Sequence, residues 1–255
     1  MKFNAIFAAI AVCASLIYGT AAQADDNLSS AQKTQVQTIV HDYLMSNPDV
    51  IIQAVQSLQQ KQVDAMRTKG ETAALKSMKD LNPSAASSDP IDGNKNAKVT
   101  VVELFDYQCP HCVDMGPTFA ALVKANPDVR IVYKDFPIRG PVSIYAAKGA
   151  IAANKQGKYM EFHDELMKGA QGLTNAKVDE IAKTLGLDMK QYASDRDSAA
   201  TDQQIKATYK LASDIGVMGT PAIFVFKTSN PTTVDFIPGQ VDTKYLQDAV
   251  SKASK

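Results

Sequence analysis

With 255 residues, 45% hydrophobic and 21% charged, the chain has the composition of a globular protein, and its length suits one elaborated domain or a main domain with a smaller appendage. Its 27 basic and 27 acidic side chains cancel, so no basic field is available to hold nucleic acid or an anionic membrane surface. A sizeable core is feasible without disulfides.

The first element in chain order is a processing signal. Lys2 gives a short positive start, an apolar stretch runs from Ala5 to Tyr18, and Ala22, Gln23 and Ala24 form a small-residue site that predicts cleavage before Asp25. Residues 1–24 are therefore expected as a signal peptide and 25–255 as the mature chain. The apolar stretch is too short to span a bilayer comfortably, and no later segment approaches the roughly 18 consecutive apolar residues that a membrane helix needs. Cys13 lies inside this stretch behind Val12, where lipoprotein processing would want a small residue.

Two helical patterns follow. Ser29 or Ser30 can cap a helix whose apolar positions Val36, Ile39, Val40, Tyr43 and Leu44 recur at three- and four-residue spacing, stopping near Ser46. Asn47 and Pro48 predict a fresh start, with Ile51, Ile52, Val55 and Leu58 on the next helix and a pattern continuing through Val63 and Met66 toward Gly70, and weakly again through Leu75, Met78 and Leu81. Residues 25–70 are expected as a helical oligomerisation segment, and residues 71–96, ending in "NPSAASSDPIDGNKN", as a linker. Short amphipathic helices set apart by a polar linker have no obvious surface on which to bury their apolar faces. A second copy supplies one, giving a homodimer through residues 28–66; the other reading folds the segment back onto the main domain.

From Ala97 the texture changes. "KVTVVELF" has strand character, "CPHC" opens a helix that continues through Phe119, Leu122 and Val123 to Ala125, and "VRIVYKDFPI" at 129–138 is a second strand. A long helical block follows, with three or four helices and breaks near 169–174 and near Gly186. "PAIFVF" at 221–226 and "TTVDFI" at 232–237 predict a pair of strands, after which Asp242 can cap a last helix through Leu246 and Val250. Residues 97–255 form an α/β domain in which two cysteines sit where a strand hands over to a helix.

Those cysteines, Cys109 and Cys112, are the only ones left in an exported chain once the signal is removed. A two-residue gap closes almost no loop, so stabilisation is a weak reason to keep the pair. Disulfide exchange needs one sulfur that attacks and a second that resolves the mixed disulfide, and Cys-x-x-Cys on a helix start supplies both. With Pro110 at the first helical position, unpaired backbone N–H groups and the helix dipole favour negative charge on Cys109, and His111 adds an imidazole beside it. A stabilised thiolate stabilises the reduced form, so this pair is expected to give its disulfide away, with Cys112 as the resolving residue. The rival is half of a zinc site, for which only His41, His111 and His163 remain, with no matching His-x-x-x-His partner; no metal is expected. His163 is read as a surface or packing histidine. Glu103 interrupts the strand that feeds the motif: either it is a buried acid relaying protons to the resolving thiol, or it faces solvent on an edge.

"VVELFDYQCPHC" followed far downstream by "GVMGTPAIFV" resembles the DsbA-like thioredoxin-fold disulfide oxidoreductases, over about residues 93–254. The resemblance implies a thioredoxin-like fold in which about 143–217 is an inserted helical subdomain, with the N-terminal helical segment as an added oligomerisation region. It implies a cis Pro221 lying against the cysteines, with Thr220 lining the substrate groove. Threonine before this proline is similar to the dimeric disulfide isomerases, where monomeric oxidases carry valine. The function implied is a periplasmic thiol:disulfide oxidoreductase that introduces, and also isomerises, disulfides in exported proteins. It would act on reduced or unfolded polypeptides without a dissociable cofactor and be renewed by a membrane redox partner. The alternatives are an isomerase or reductase kept reduced, or, outside enzymes, a thiol metal carrier.

Overall fold

In a computed structural model, which describes residues 28–82 and 88–255, the run Val99–Phe105 forms β2, the middle strand of a five-stranded sheet. The signal peptide expected over 1–24 lies outside the described residues. All seven residues of β2 are buried, as they are in β3 (Val129–Asp135), which pairs with β2 in parallel. Strands covered on both faces have no solvent side to mark, and this is why both runs are almost continuously apolar. On the other side of β2 lies β4 (Ala222–Lys227), antiparallel, followed by β5 (Val234–Pro238) at one edge. The opposite edge is β1 (Ile91–Gly93), antiparallel to β3.

Side chains alternate across this sheet. Val99, Val101 and Phe105 face one core, under α4 (Pro110–Ala125) and α10 (Thr243–Ala253), while Val102 and Leu104 face another, with Phe224 and Phe236. The helical block, expected as three or four helices, is five: α5 (Pro141–Lys155), α6 (Tyr159–Lys168), α7 (Asn175–Thr184), α8 (Met189–Arg196) and α9 (Ala199–Ile215). The additional breaks lie at Gly157, whose φ of 70° ends a helix cheaply only in glycine, and at Ser198, whose hydroxyl accepts from Thr201 N–H to cap α9. Leu211, Ala212 and Ile215 of α9 join the second core.

The chain divides into two compact units near residue 56. Within the first, α1 (Ser30–Ser46) begins in the capping box expected of Ser29, which accepts from Gln32 N–H while the Gln32 side chain accepts from Ser29 N–H. None of its residues is buried. The second helix, α2 (Asp49–Lys76), runs past Gly70, and α3 (Met78–Leu81) follows, where the helical pattern continues weakly through Leu75, Met78 and Leu81. Residues 71–96, expected as a linker, thus hold the end of α2, α3 and β1. The polar texture misled because β1 has a single large apolar residue and needs no more at a sheet edge. No helix among the described residues is long and apolar enough to cross a membrane.

The end of α2 belongs to the second unit. Ala74 and Leu81 enter the second core, and Arg67 is hydrogen-bonded to Tyr245 and ion-paired with Asp235. Gly70 is buried over Phe236, whose ring stacks on Phe224 at 4.7 Å, and a Cβ on Gly70 would come within 2.6 Å of the ring Cε1. Gly70→Ala should therefore lower stability by about 1–3 kcal/mol, against the helix-propensity gain of up to ~1 kcal/mol that alanine brings to an open site. Denaturant unfolding of the full chain reads the sign directly, and a stabilised variant would mean that the helix does not approach the ring this closely.

Candidate active site

Cys109 ends the loop after β2 in an extended conformation (φ −87°, ψ 114°) and serves as N-cap of α4, with Pro110 at the first helical position. Its carbonyl accepts from the N–H groups of Cys112 and Val113, so Cys112 lies one turn inside. Both cysteines are free thiols and both are buried, at 0% and 2% exposure. The hydrogen bond from Cys112 does most to bring the Cys109 thiol down from 9.0 to about 5, against the upward push of burial; the Thr220 side chain, the Cys112 backbone and Arg139 add to it. Cys112 moves the opposite way, pushed up by that same bond, by burial and by the charge of Glu103.

Thr220 and Pro221, distant in sequence, arrive beside Cys109. The Thr220–Pro221 peptide is cis, and the Cys109 thiol donates to the Thr220 carbonyl at 3.2 Å. The Thr220 hydroxyl oxygen is buried. Met218, two residues earlier, is 79% exposed. His111 is exposed on the first turn of α4 with its Nδ1 2.8 Å from Gln240 Oε1.

Glu103 does not lie at an edge. It stands in the central strand, opposite Tyr133 on β3 and Ile223 on β4, with 1% exposure. Strand alternation puts it on the α4 face with Val101 and Phe105. Burial, then the nearby Cys109 charge, raises its carboxyl well above the ordinary range, which favours the neutral acid. His163 is not at the surface: it is 5% exposed among Phe105, Tyr133 and Tyr159, 3.2 Å from Tyr107 Oη, and burial lowers it to about 3.

Two residues of the site escaped sequence reasoning. Asp106 accepts from Gln108 N–H at 2.7 Å, Arg139 N–H at 2.9 Å and the Ser143 hydroxyl at 2.8 Å, tying the cysteine loop to the start of α5. An Asp three residues before a helix-starting cysteine was the available signal, since aspartate favours such turns. Arg139, whose charge favours the Cys109 thiolate, follows a strand by four residues and carries no local pattern.

A family model described as a DSBA-like thioredoxin domain matches residues 100–251, and one described as the copper resistance protein ScsC N-terminal domain matches residues 32–65. The chain belongs to the DSBA-like thioredoxin domain family. Its solved relatives include BcfH of Salmonella enterica Typhimurium, 31% identical with 88% of this chain and 97% of that one covered (TM-score 0.68). A thioredoxin-like oxidoreductase from Silicibacter pomeroyi DSS-3 is 37% identical, covering 68% of this chain and 95% of that one (TM-score 0.60). Curated relatives include the Na(+)/H(+) antiporter NhaA 3 of Salinispora tropica, 34% identical over 142 residues, which are 54% of this chain and 21% of the antiporter. The thiol:disulfide interchange protein DsbA of Burkholderia cepacia is 27% identical over 151 residues, 56% of this chain and 70% of that protein. The chain thus spans about a fifth of the antiporters' length, and what is shared with DSBA-like proteins is the fold that holds the cysteine pair.

The asymmetry of that pair can be titrated. Thiolate absorbance of the reduced protein should rise with a midpoint near pH 5, and Cys112→Ala should move the midpoint up by removing the main hydrogen bond. Because Cys109 titrates lower in the fold than in the unfolded chain, the reduced protein should gain stability over the disulfide form as pH rises from about 5 toward 9.0, and lose it as pH falls through about 5. A midpoint in the ordinary thiol range would remove the asymmetry.

Proposed function

We propose that this protein is a periplasmic thiol:disulfide oxidoreductase that introduces disulfides into exported proteins and also rearranges them. The observation that carries this reading is the low Cys109 thiol at a helix start, one turn from a Cys112 thiol displaced upward. A thiolate in the substrate attacks Cys109 Sγ of the enzyme disulfide, and Cys112 leaves with the electron pair and takes up a proton. A second substrate thiolate then attacks the substrate sulfur of the mixed disulfide and expels Cys109 as its stabilised thiolate. The substrate has lost two electrons and the cysteine pair has gained them. No dissociable cofactor enters this cycle, and a membrane redox partner would remove the electrons.

Each part of the site has a place in the cycle. Pro110 starts the helix whose N–H groups face the Cys109 sulfur, and His111, exposed beside it, meets the substrate. Thr220 and Pro221 hold the substrate chain against Cys109, while Met218 and the half-exposed Ile138 offer apolar contact to unfolded polypeptide. Glu103 gives Cys112 its proton when it leaves.

Blocking resolution tests the cycle. In Cys112→Ala the Cys109 thiolate can still attack a substrate disulfide, expelling one substrate sulfur as thiolate, but has no Cys112 to release it. The variant should accumulate mixed disulfides with many exported proteins, seen as adducts on non-reducing gels and absent from a Cys109→Ala, Cys112→Ala double variant. Alkylation trapping in intact cells should find both redox forms. A wholly oxidised pair would leave only the oxidase, a wholly reduced one only the isomerase or reductase.

Isomerisation is favoured by two active sites in one assembly, and the N-terminal helices offer the means. Val36, Ile39, Val40 and Tyr43 of α1 are 46–59% exposed, and Ile51, Ile52 and Val55 of α2 are 49–54% exposed. An apolar stripe of this extent marks an interaction surface, and the match to an N-terminal domain model over 32–65 sets it apart from the catalytic fold. A homo-oligomer, at its simplest a dimer through residues 28–66, covers it. Ile39→Glu with Ile52→Glu in the full chain should give monomers by light scattering; an unchanged mass would locate assembly elsewhere.

A further inference from the structure

The loop from Pro137 to Pro141 forms a pinned shelf beside the cysteine pair. Phe136 N–H donates to the Phe105 carbonyl at 2.8 Å, so the chain leaving β3 stays level with the chain leaving β2. The Tyr209 hydroxyl donates to the Pro137 carbonyl at 2.6 Å, and Pro141 starts α5 after Gly140, whose φ of 105° turns the chain. Asp106 joins this shelf to the nucleophile. Its carbonyl accepts from Cys109 N–H at 3.0 Å, while its carboxylate takes Gln108 N–H with one oxygen and Arg139 N–H with the other. Cys109 and Arg139 therefore hang from the same residue.

The backbone of Arg139 is fixed, and its side chain is free. The residue is exposed, and among the described residues its guanidinium has neither a hydrogen-bond nor an ion-pair partner. A solvated cation is ordinary on a surface, but this one stands beside the reacting sulfur. Cys112 does most to bring the Cys109 thiol down, and the Arg139 charge is among the further causes, so its field reaches the sulfur. His111, Thr220, Met218 and Gln240, which the start of α4, the cis-proline turn and the loop before α10 bring to this face, carry no fixed charge. Ile138, 42% exposed, and Met218 offer apolar contact to any unfolded chain. Arg139 adds a contact that distinguishes polypeptides by charge.

We propose that Arg139 sets the substrate class of the exchange site: it selects polypeptides whose reacting cysteine is flanked by an aspartate or glutamate. This rests on the oxidoreductase reading above and adds to it which thiols react fastest. A guanidinium fork matches a carboxylate with two parallel N–H···O bonds, and a loop pinned at Pro137 and Arg139 has little freedom left to lose when they form. An extended chain rises about 3.3 Å per residue, so a carboxylate one or two residues from a sulfur on Cys109 stays within reach of a side chain held beside it. The same charge disfavours a lysine or arginine in that place. A bound chain also shields the pair from water, which strengthens an interaction that is worth little when fully solvated.

The test is a charge series on the full chain. The oxidised protein is given three peptides with the same pair of cysteines, differing only in the residues beside them: glutamate, glutamine or lysine. The second-order rate of its reduction is read by quench alkylation. Each rate is divided by that of the same peptide with oxidised 2-mercaptoethanol, because an acidic neighbour itself raises a thiol pKa. The glutamate peptide should lead the lysine peptide by about fivefold at about 0.01 M salt, where charges act over about 30 Å, and by much less at about 1 M, where they act over about 3 Å. Arg139→Gln should bring the two peptides level, and Arg139→Glu should invert their order. The side chain is exposed and the bond to Asp106 is made by the backbone, so both variants should fold, which thermal melts check. Any general effect of the lost charge on Cys109 multiplies every rate alike and cancels in the ratio. A protein that oxidises none of the peptides removes the oxidoreductase reading and this inference with it. Equal normalised rates in the unaltered protein, or a glutamate preference that survives in Arg139→Gln, keep the oxidoreductase and overturn the selection.

Discussion

Two thiols one helical turn apart must be held in opposite protonation states, and the rest of the structure serves that constraint. Only the first turn of a helix has backbone N–H groups to spare, so a sulfur at the cap is stabilised as an anion and a sulfur one turn inside is not. Pro110 fixes which cysteine is which, because it sets the first helical residue and leaves Cys109 extended ahead of it. The Cys112 thiol then donates to the Cys109 thiolate, and the contact that lowers one raises the other. A disulfide across this gap relaxes when broken, since the charge it releases already has its donors in place.

The acid whose charge acts on the inner thiol is placed by strand register. In β2 side chains alternate, so Glu103 shares a face with Val101 and Phe105, beneath α4, whereas Val102 and Leu104 face α9. A slip of one residue would turn the carboxyl away from Cys112 and into the other core. Register here is pinned from both sides, by β3 in parallel and β4 antiparallel, with seven and six paired residues. A buried carboxyl in a strand paired on both sides cannot be moved by local adjustment, and burial instead favours its neutral form.

Much of this was legible in the sequence, and what was not has physical causes. Long apolar runs such as Val99–Phe105 and capping signatures such as Ser29 and Asp242 act within a few residues, so they announced β2, α1 and α10 at nearly their final limits. Glu103 stood out because a carboxylate in an apolar run has few explanations, though only the sheet order decides between a buried acid and an exposed edge. The edge strand β1 was hidden because three residues paired on one side need little apolar character. Arg139 and His163 gain their places from tertiary packing of segments far from the motif. Gly70 carries a reason that no local pattern encodes, the ring of Phe236 met across 166 residues of chain.

Sheet topology also explains how a peptide 111 residues downstream meets Cys109 at 3.2 Å. Leu104 near the end of β2 pairs with Ala222 at the start of β4, so the chain leaves β2 at the level where it enters β4. The cysteine loop and the Thr220–Pro221 turn therefore emerge side by side at one end of the sheet. Everything between Pro141 and Ile215 is a helical excursion that departs from and returns to that end, with Gly216 at φ 82° turning the chain out of α9. The sulfur chemistry needs only the two loops and the helix start. The excursion is free to carry other work, and the side chains it lends to the back of the site, His163 and Asp164, line a cavity with Cys112 and Glu103, away from the cis-proline side where Cys109 meets Thr220.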